Sequence, residues 1–143
     1  MKKTGKYVIT EEYKRFISGV NIKNIYLKSS TVNCNQEYID FKKVPNISID
    51  NESSYEIIEE NLFKVLTKFV LKVRYENIDK AIIDIRVTFV IIYKNKIPIT
   101  KEFFNIFKSR NVPLNIWPYF REYIHNTCNR IGVPPLVLPV VQV

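Results

Sequence analysis

Few side chains in this sequence could make or break covalent bonds. Its two thiols, Cys34 and Cys128, stand far apart, and its single imidazole is His125. Cysteines so placed give no metal-ligand spacing, and two buried, reduced thiols are the expected outcome. No acidic or cysteine residue stands directly beside His125 in sequence, and a partly exposed helix position fits it better than a general-base role. No glycine-rich phosphate loop, nucleophile elbow or histidine pair occurs, and three glycines leave little with which to build a phosphate cradle. The chain therefore reads as no enzyme, with no cofactor and no metal.

What remains is the chemistry of contact. Phe103, Phe104, Phe107, Trp117, Tyr119, Phe120 and Tyr123 crowd into one short stretch. Some of these rings must pack beneath a helix, but a single sheet and one main helix cannot cover them all. Surplus exposed apolar area marks an interface, and aromatic rings give large contact without demanding a particular partner sequence. A second pattern is ionic. Lys64, Lys68 and Lys72 share one side of a strand, with neighbours about 13 Å apart at ~3.3 Å per residue. Together with Leu66, Val70, Arg74 and Arg86 they predict a basic, partner-facing sheet surface. The net charge of +8 is concentrated accordingly: the first 60 residues hold nine basic and nine acidic side chains, the remainder thirteen and five. A basic half can meet nucleic acid or an acidic protein, or simply keep the surface soluble.

The elements that must position these residues follow from periodicity. Thr10 can cap a short helix over 11–18, with Glu11 and Glu12 at its positive end, Tyr13, Phe16, Ile17 and Val20 inward, and Gly19 as its stop. A strand is expected over 20–32, buried on both faces near its middle. Residues 33–54 read as a long polar connection with a short strand at Ile47 and Ile49. Residues 62–75 alternate cleanly, with Phe63, Val65, Thr67, Phe69, Leu71, Val73 and Tyr75 inward. After a polar turn at 76–80, Ile83, Ile85, Val87, Phe89, Ile91 and Tyr93 repeat the pattern. An edge strand at 97–100 and a short helix over 101–110 come next. These elements predict an antiparallel α+β domain. No run of about 18 apolar residues is present. Residues 1–6 look like the start of a signal, but Glu11, Glu12, Lys14 and Arg15 interrupt the apolar core that a signal needs, so a cytoplasmic protein is expected. The division expected is 1–20 as an extension with its short helix and 21–143 as a single domain.

Residues 115–141 carry the most specific signal. Asn115 is placed to cap a helix in which Pro118 falls in the first turn, where its missing N–H does no harm. Ile116, Phe120, Ile124, Thr127 and Ile131 recur at helical spacing, Gly132 supplies a left-handed stop, and Pro134 and Pro135 forbid continuation. The run Trp117, Pro118, Tyr119, Phe120, Arg121, Glu122, and the later Gly132, Pro134, Pro135, Leu136, Leu138, Pro139 and Val140, resemble the long helix and tail of SecB-type export chaperones. The likeness extends more weakly over about 21–141.

That resemblance implies an antiparallel four-stranded sheet with one long helix packed on it; the short N-terminal helix, and no second C-terminal helix after the long one, are expected here as departures from the family. It implies an ATP-independent holdase that keeps unfolded clients, preproteins or a labile antitoxin, in apolar grooves of a dimer or tetramer. Phe103, Phe104, Phe107, Ile116, Trp117, Tyr119, Phe120, Leu136 and Leu138 are the expected client-binding residues. A basic sheet face, where the family is acidic, makes the secretion motor ATPase a doubtful partner. The alternatives are an interaction module that is no chaperone, or a nucleic-acid binder using the basic face. Against the last, Phe63, Phe69, Tyr75 and Phe89 are all expected on the core side.

Overall fold

The structure, a computed structural model, describes residues 10–138. The signal-like start, and Pro139, Val140 and Val141 of the apolar tail, lie outside the described residues. The clearest alternation gives the clearest strands: β3 (Leu62–Arg74) and β4 (Ile83–Lys94). Every residue expected to face inward on them is buried. Each fully buried side chain of this size contributes about 1.5–3 kcal/mol. Val90 is buried as well, although alternation places it on the other side.

The other strands differ from expectation. β1 (Asn21–Cys34) is longer than expected and exposed along nearly its whole length. Tyr26 and Leu27, consecutive and on opposite faces, are 42% and 45% exposed. The burial expected near its middle is absent, and β1 forms one edge of the sheet. Half of the connection expected over 33–54 is strand: β1 runs on to Cys34, and β2 (Asn46–Glu59) is as long as β1. The edge strand expected at 97–100 does not form. Asn95 and Asn61 supply the hydrogen bonds there instead: the Asn95 amide donates to the carbonyls of Glu60 and Ile97, and the Asn61 amide to that of Asn95. The four strands lie in the order β1-β4-β3-β2, so β2, β3 and β4 form a meander and β1 returns antiparallel beside β4.

Three α-helices complete the described chain. α1 (Glu11–Ser18) starts as its sequence requires, with Thr10 Oγ1 accepting from the Tyr13 N–H at 3.1 Å. α2 (Lys101–Arg110) is capped likewise by Thr100. α3 (Val112–Ile131) begins earlier than expected, directly after α2, which is the short helix expected over 101–110, so the described chain ends in two consecutive helices. Among the described residues no helix follows Gly132. Asn115 is no cap: it lies inside α3, and its Oδ1 accepts from the Tyr93 hydroxyl at 2.9 Å. Pro113 takes the first-turn place, and Pro118 sits in the helix interior. The N–H that Pro118 lacks would have donated to Leu114. Both residues are exposed, so water can take the orphaned carbonyl. Gly132 ends the helix at φ 76°, with the Val133 N–H donating back to Cys128 O at 3.0 Å.

Two compact units emerge from this chain. One contains α1, the tip of the β2–β3 hairpin, the end of β4, α2 and α3. Phe63, Tyr93 and Phe107 pack mutually there, with ring centroids 4.9 to 5.8 Å apart. The other contains the rest of the strands and the β1–β2 connection. Its Phe69 and Phe89 rings meet edge to face at 6.5 Å.

Candidate interaction surfaces

In the helical unit the aromatic crowding resolves into core and surface. Phe104, Phe107, Ile116 and Phe120 are buried, from 0% to 5% exposed, so these four expected client-binding residues belong to the core. Their helical spacing is what turns them inward together. Phe103, Trp117, Leu136 and Leu138 are half-buried, and Tyr119 is exposed. Val137 stands between the two leucines at 90% exposure. Trp117 packs on Phe120 at 5.4 Å, which anchors one face of its ring. The tail is fixed locally: a backbone bond from Leu136 reaches the buried Cys128, whose thiol pKa is raised by burial. Of the two thiols expected to be buried, Cys128 is buried and Cys34 only half-buried, and His125 is exposed on α3.

The junction of α2 and α3 is held by side chains. The Tyr13 hydroxyl donates to Asn111 Oδ1 at 2.6 Å, and burial pushes the phenol up to about 12. Tyr93 is raised further, by deeper burial. Both phenols are therefore neutral hydrogen-bond donors that fix the start of α3.

In the strand unit the exposed apolar side chains lie where sequence pattern placed none. β1 presents Ile22, Tyr26, Leu27 and Val32, although Ile22 belongs to the helical unit. The β1–β2 connection presents Tyr38, Phe41 at 70% and Val44 at 84%. Phe41 and Val44 are single apolar residues among lysines and turn formers, so no periodicity marks them. Their exposure is legible only once the sheet order fixes the connection as a surface crossover.

The basic sheet face requires correction. Lys64, Lys68, Lys72 and Arg74 do lie on β3, with Leu66 and Val70 half-buried between them. Beside them runs β2, which carries Asp50, Glu52, Glu56 and Glu59 and no basic residue. Lys64 pairs with Glu56 at 3.3 Å. Lys68 shares a hollow with Asp50, Asn51, Glu52 and Val70. On β4, Arg86 pairs with Asp84 at 3.0 Å through two hydrogen bonds. Taking β2 for a connection hid those carboxylates. The face is of mixed charge, so electrostatic repulsion gives no ground for excluding the secretion motor. It also offers no uniformly cationic track to nucleic acid, and Phe63, Phe69, Tyr75 and Phe89 are buried away from any base.

With the sheet order and helices established, the family model for SecB, the preprotein translocase subunit, matches residues 14–143. The chain belongs to the SecB family. No curated protein matches it in sequence. Among solved structures, this SecB-family chain is similar to the Mycobacterium tuberculosis SecB-like chaperone in complex with a ChAD peptide from the HigA1 antitoxin. That similarity has a TM-score of 0.77 at 15% identity over 87% of this chain and 93% of that one. It is also similar to a protein of unknown function from Streptococcus agalactiae, with a TM-score of 0.53 at 8% identity over 85% and 97% of the two chains. At such identities the likeness is one of fold. Among the described residues there is no cluster able to hold a metal, and no helix is long and apolar enough to cross a membrane.

Proposed function

We propose that this SecB-family protein is an ATP-independent, non-catalytic cytoplasmic holdase for unfolded or aggregation-prone polypeptides. The observation that carries the reading is the concentration of large exposed apolar side chains on β1 and the β1–β2 connection, where Phe41 and Val44 are mostly solvated. A folded chain gains nothing from these residues alone, and a holdase needs such area. A second surface, Trp117, Tyr119, Leu136 and Leu138, lies on the helical unit. The client is a labile antitoxin or a preprotein. The antitoxin peptide held by the Mycobacterium tuberculosis relative supports the first. An edge strand as exposed as β1 is a hazard in a monomer, so it pairs with a second copy in a dimer or tetramer.

The test measures aggregation of a chemically unfolded protein with and without equimolar chaperone, alongside light scattering for its mass. The expected result is suppression by the wild type, and at least a five-fold loss in the double variant Phe41→Asp/Val44→Asp with an unchanged melting temperature. A wild-type protein that leaves aggregation unaffected overturns the reading.

A further inference from the structure

The cluster beneath α1 divides in two. Phe63, Tyr93 and Phe107 pack on one another without any help from α1. Phe103 differs: the rings that meet it, Phe16 stacked at 4.8 Å and Tyr13 edge-on at 6.0 Å, both belong to α1. Phe16 also reaches Phe107 and Phe63 at 6.3 and 6.4 Å. α1 thus lays an aromatic pair, three residues apart, into a cradle whose floor is built independently of it.

Little else holds α1 there. Eight residues fall well below the roughly 12–15 that make an isolated helix even marginally stable. The attachment consists of buried Tyr13 and Phe16, half-buried Ile17, the bond from Tyr13 to Asn111, and the buried C-cap Gly19, which lies close against the Lys96 side chain. Glu11, Glu12, Lys14, Arg15 and Ser18 are exposed. Among the described residues, no second layer covers these exposed positions of the helix from outside.

We infer that this cradle is a binding site for a short amphipathic helix with aromatic residues at i and i+3, and that α1 occupies it in cis until a client segment of the same pattern displaces it. Displacement exposes the Phe103 ring and one side each of Phe63 and Phe107, a wet aromatic surface suited to helix-in-groove recognition. The apparent affinity for an incoming segment is lowered by the fraction of molecules in which α1 is docked. Where the incoming segment belongs to a client, the inference rests on the holdase reading, whereas the cradle itself does not.

A labelled peptide carrying residues 10–19 is titrated by fluorescence polarisation into the full-length wild type, Tyr13→Phe and Phe16→Ala. Tyr13→Phe keeps the ring and removes one ordinary hydrogen bond from the docked state, so binding about five-fold tighter than wild type is expected. Phe16→Ala empties the cradle and should bind tighter still. A peptide with alanine at both aromatic positions should not bind. The unlabelled peptide should also release an unfolded client from the wild type. Equal affinity in all three proteins, or no binding to a folded Phe16→Ala protein, overturns the inference. If Phe16→Ala does not fold, Tyr13→Phe alone decides. Failure of the wild type to hold any client, with peptide binding as described, sinks the holdase reading and leaves the cradle standing.

Discussion

β2 and β3 lie side by side in one sheet and have nearly equal lengths, 14 and 13 residues. β3 places a large apolar residue or Thr67 at every inward position, and each is buried. β2 faces inward with Ile47, Ile49, Asn51, Ser53, Tyr55 and Ile57, of which none is fully buried. The Ser53 and Thr67 hydroxyls meet at 2.9 Å, which fixes the two inward sides as one. The contrast shows how alternation depends on burial. A central strand must hide one whole side, so its sequence has to alternate. An edge strand borrows its order from the ladder of its neighbour, and its composition is left free for charge.

That contrast predicts unequal sensitivity. Leu71→Ala on β3 removes a fully buried side chain and should cost about 2–5 kcal/mol. Ile49→Ala on β2 removes a half-buried one and should cost about 1 kcal/mol, because the site was already partly hydrated. Urea unfolding of the two variants checks this. Equal losses would mean that β2 is as much a part of the core as β3.

A smaller effect is expected where the two strands share a polar contact. Thr67 is buried and Ser53 half-buried, so Thr67→Val should cost about 1 kcal/mol and Ser53→Ala somewhat less. The pair of single variants and the double variant should be non-additive, because each single change leaves the same hydroxyl bond broken. Additive losses in urea unfolding would show that the two hydroxyls are satisfied separately.

How much was legible in the sequence follows the same rule. The β3–β4 hairpin, α1 with its Thr10 cap, and the left-handed stop at Gly132 were all readable, since each is set by local pattern or by a backbone conformation that few residues tolerate. β2 was not, because Asn, Asp and Ser in a strand look like a loop until a neighbour is there to pair with. The start of α3 was misplaced because Asn115 and Pro118 make a convincing cap and first turn, while the residue that joins the helices, Asn111, spends its side chain on Tyr13. For the candidate surface, composition found the aromatic crowding but could not separate the rings that face the core from those that face water. Phe41 and Val44 were missed for want of any periodicity. The mixed charge of the sheet face was lost together with β2, since carboxylates from one strand and ammonium groups from the next come together only through the sheet order.

The smallest effect concerns that face. The side chains of Lys64 and Glu56 are 35% and 61% exposed. A pair so solvated contributes about 0.2–1 kcal/mol, and less as salt screens it. Glu56→Gln, Lys64→Met and the double variant should therefore show a coupling of a few tenths of a kcal/mol at low ionic strength, falling toward zero at high salt. The value decides what the facing stripes on β2 and β3 are for. Coupling well above 1 kcal/mol would mean that the charges bind the edge strand to its neighbour and are committed to the fold. Coupling near zero would mean that the acidic edge is held in place by its backbone ladder and by Ser53 with Thr67. Its carboxylates could then turn to a partner without loosening the sheet.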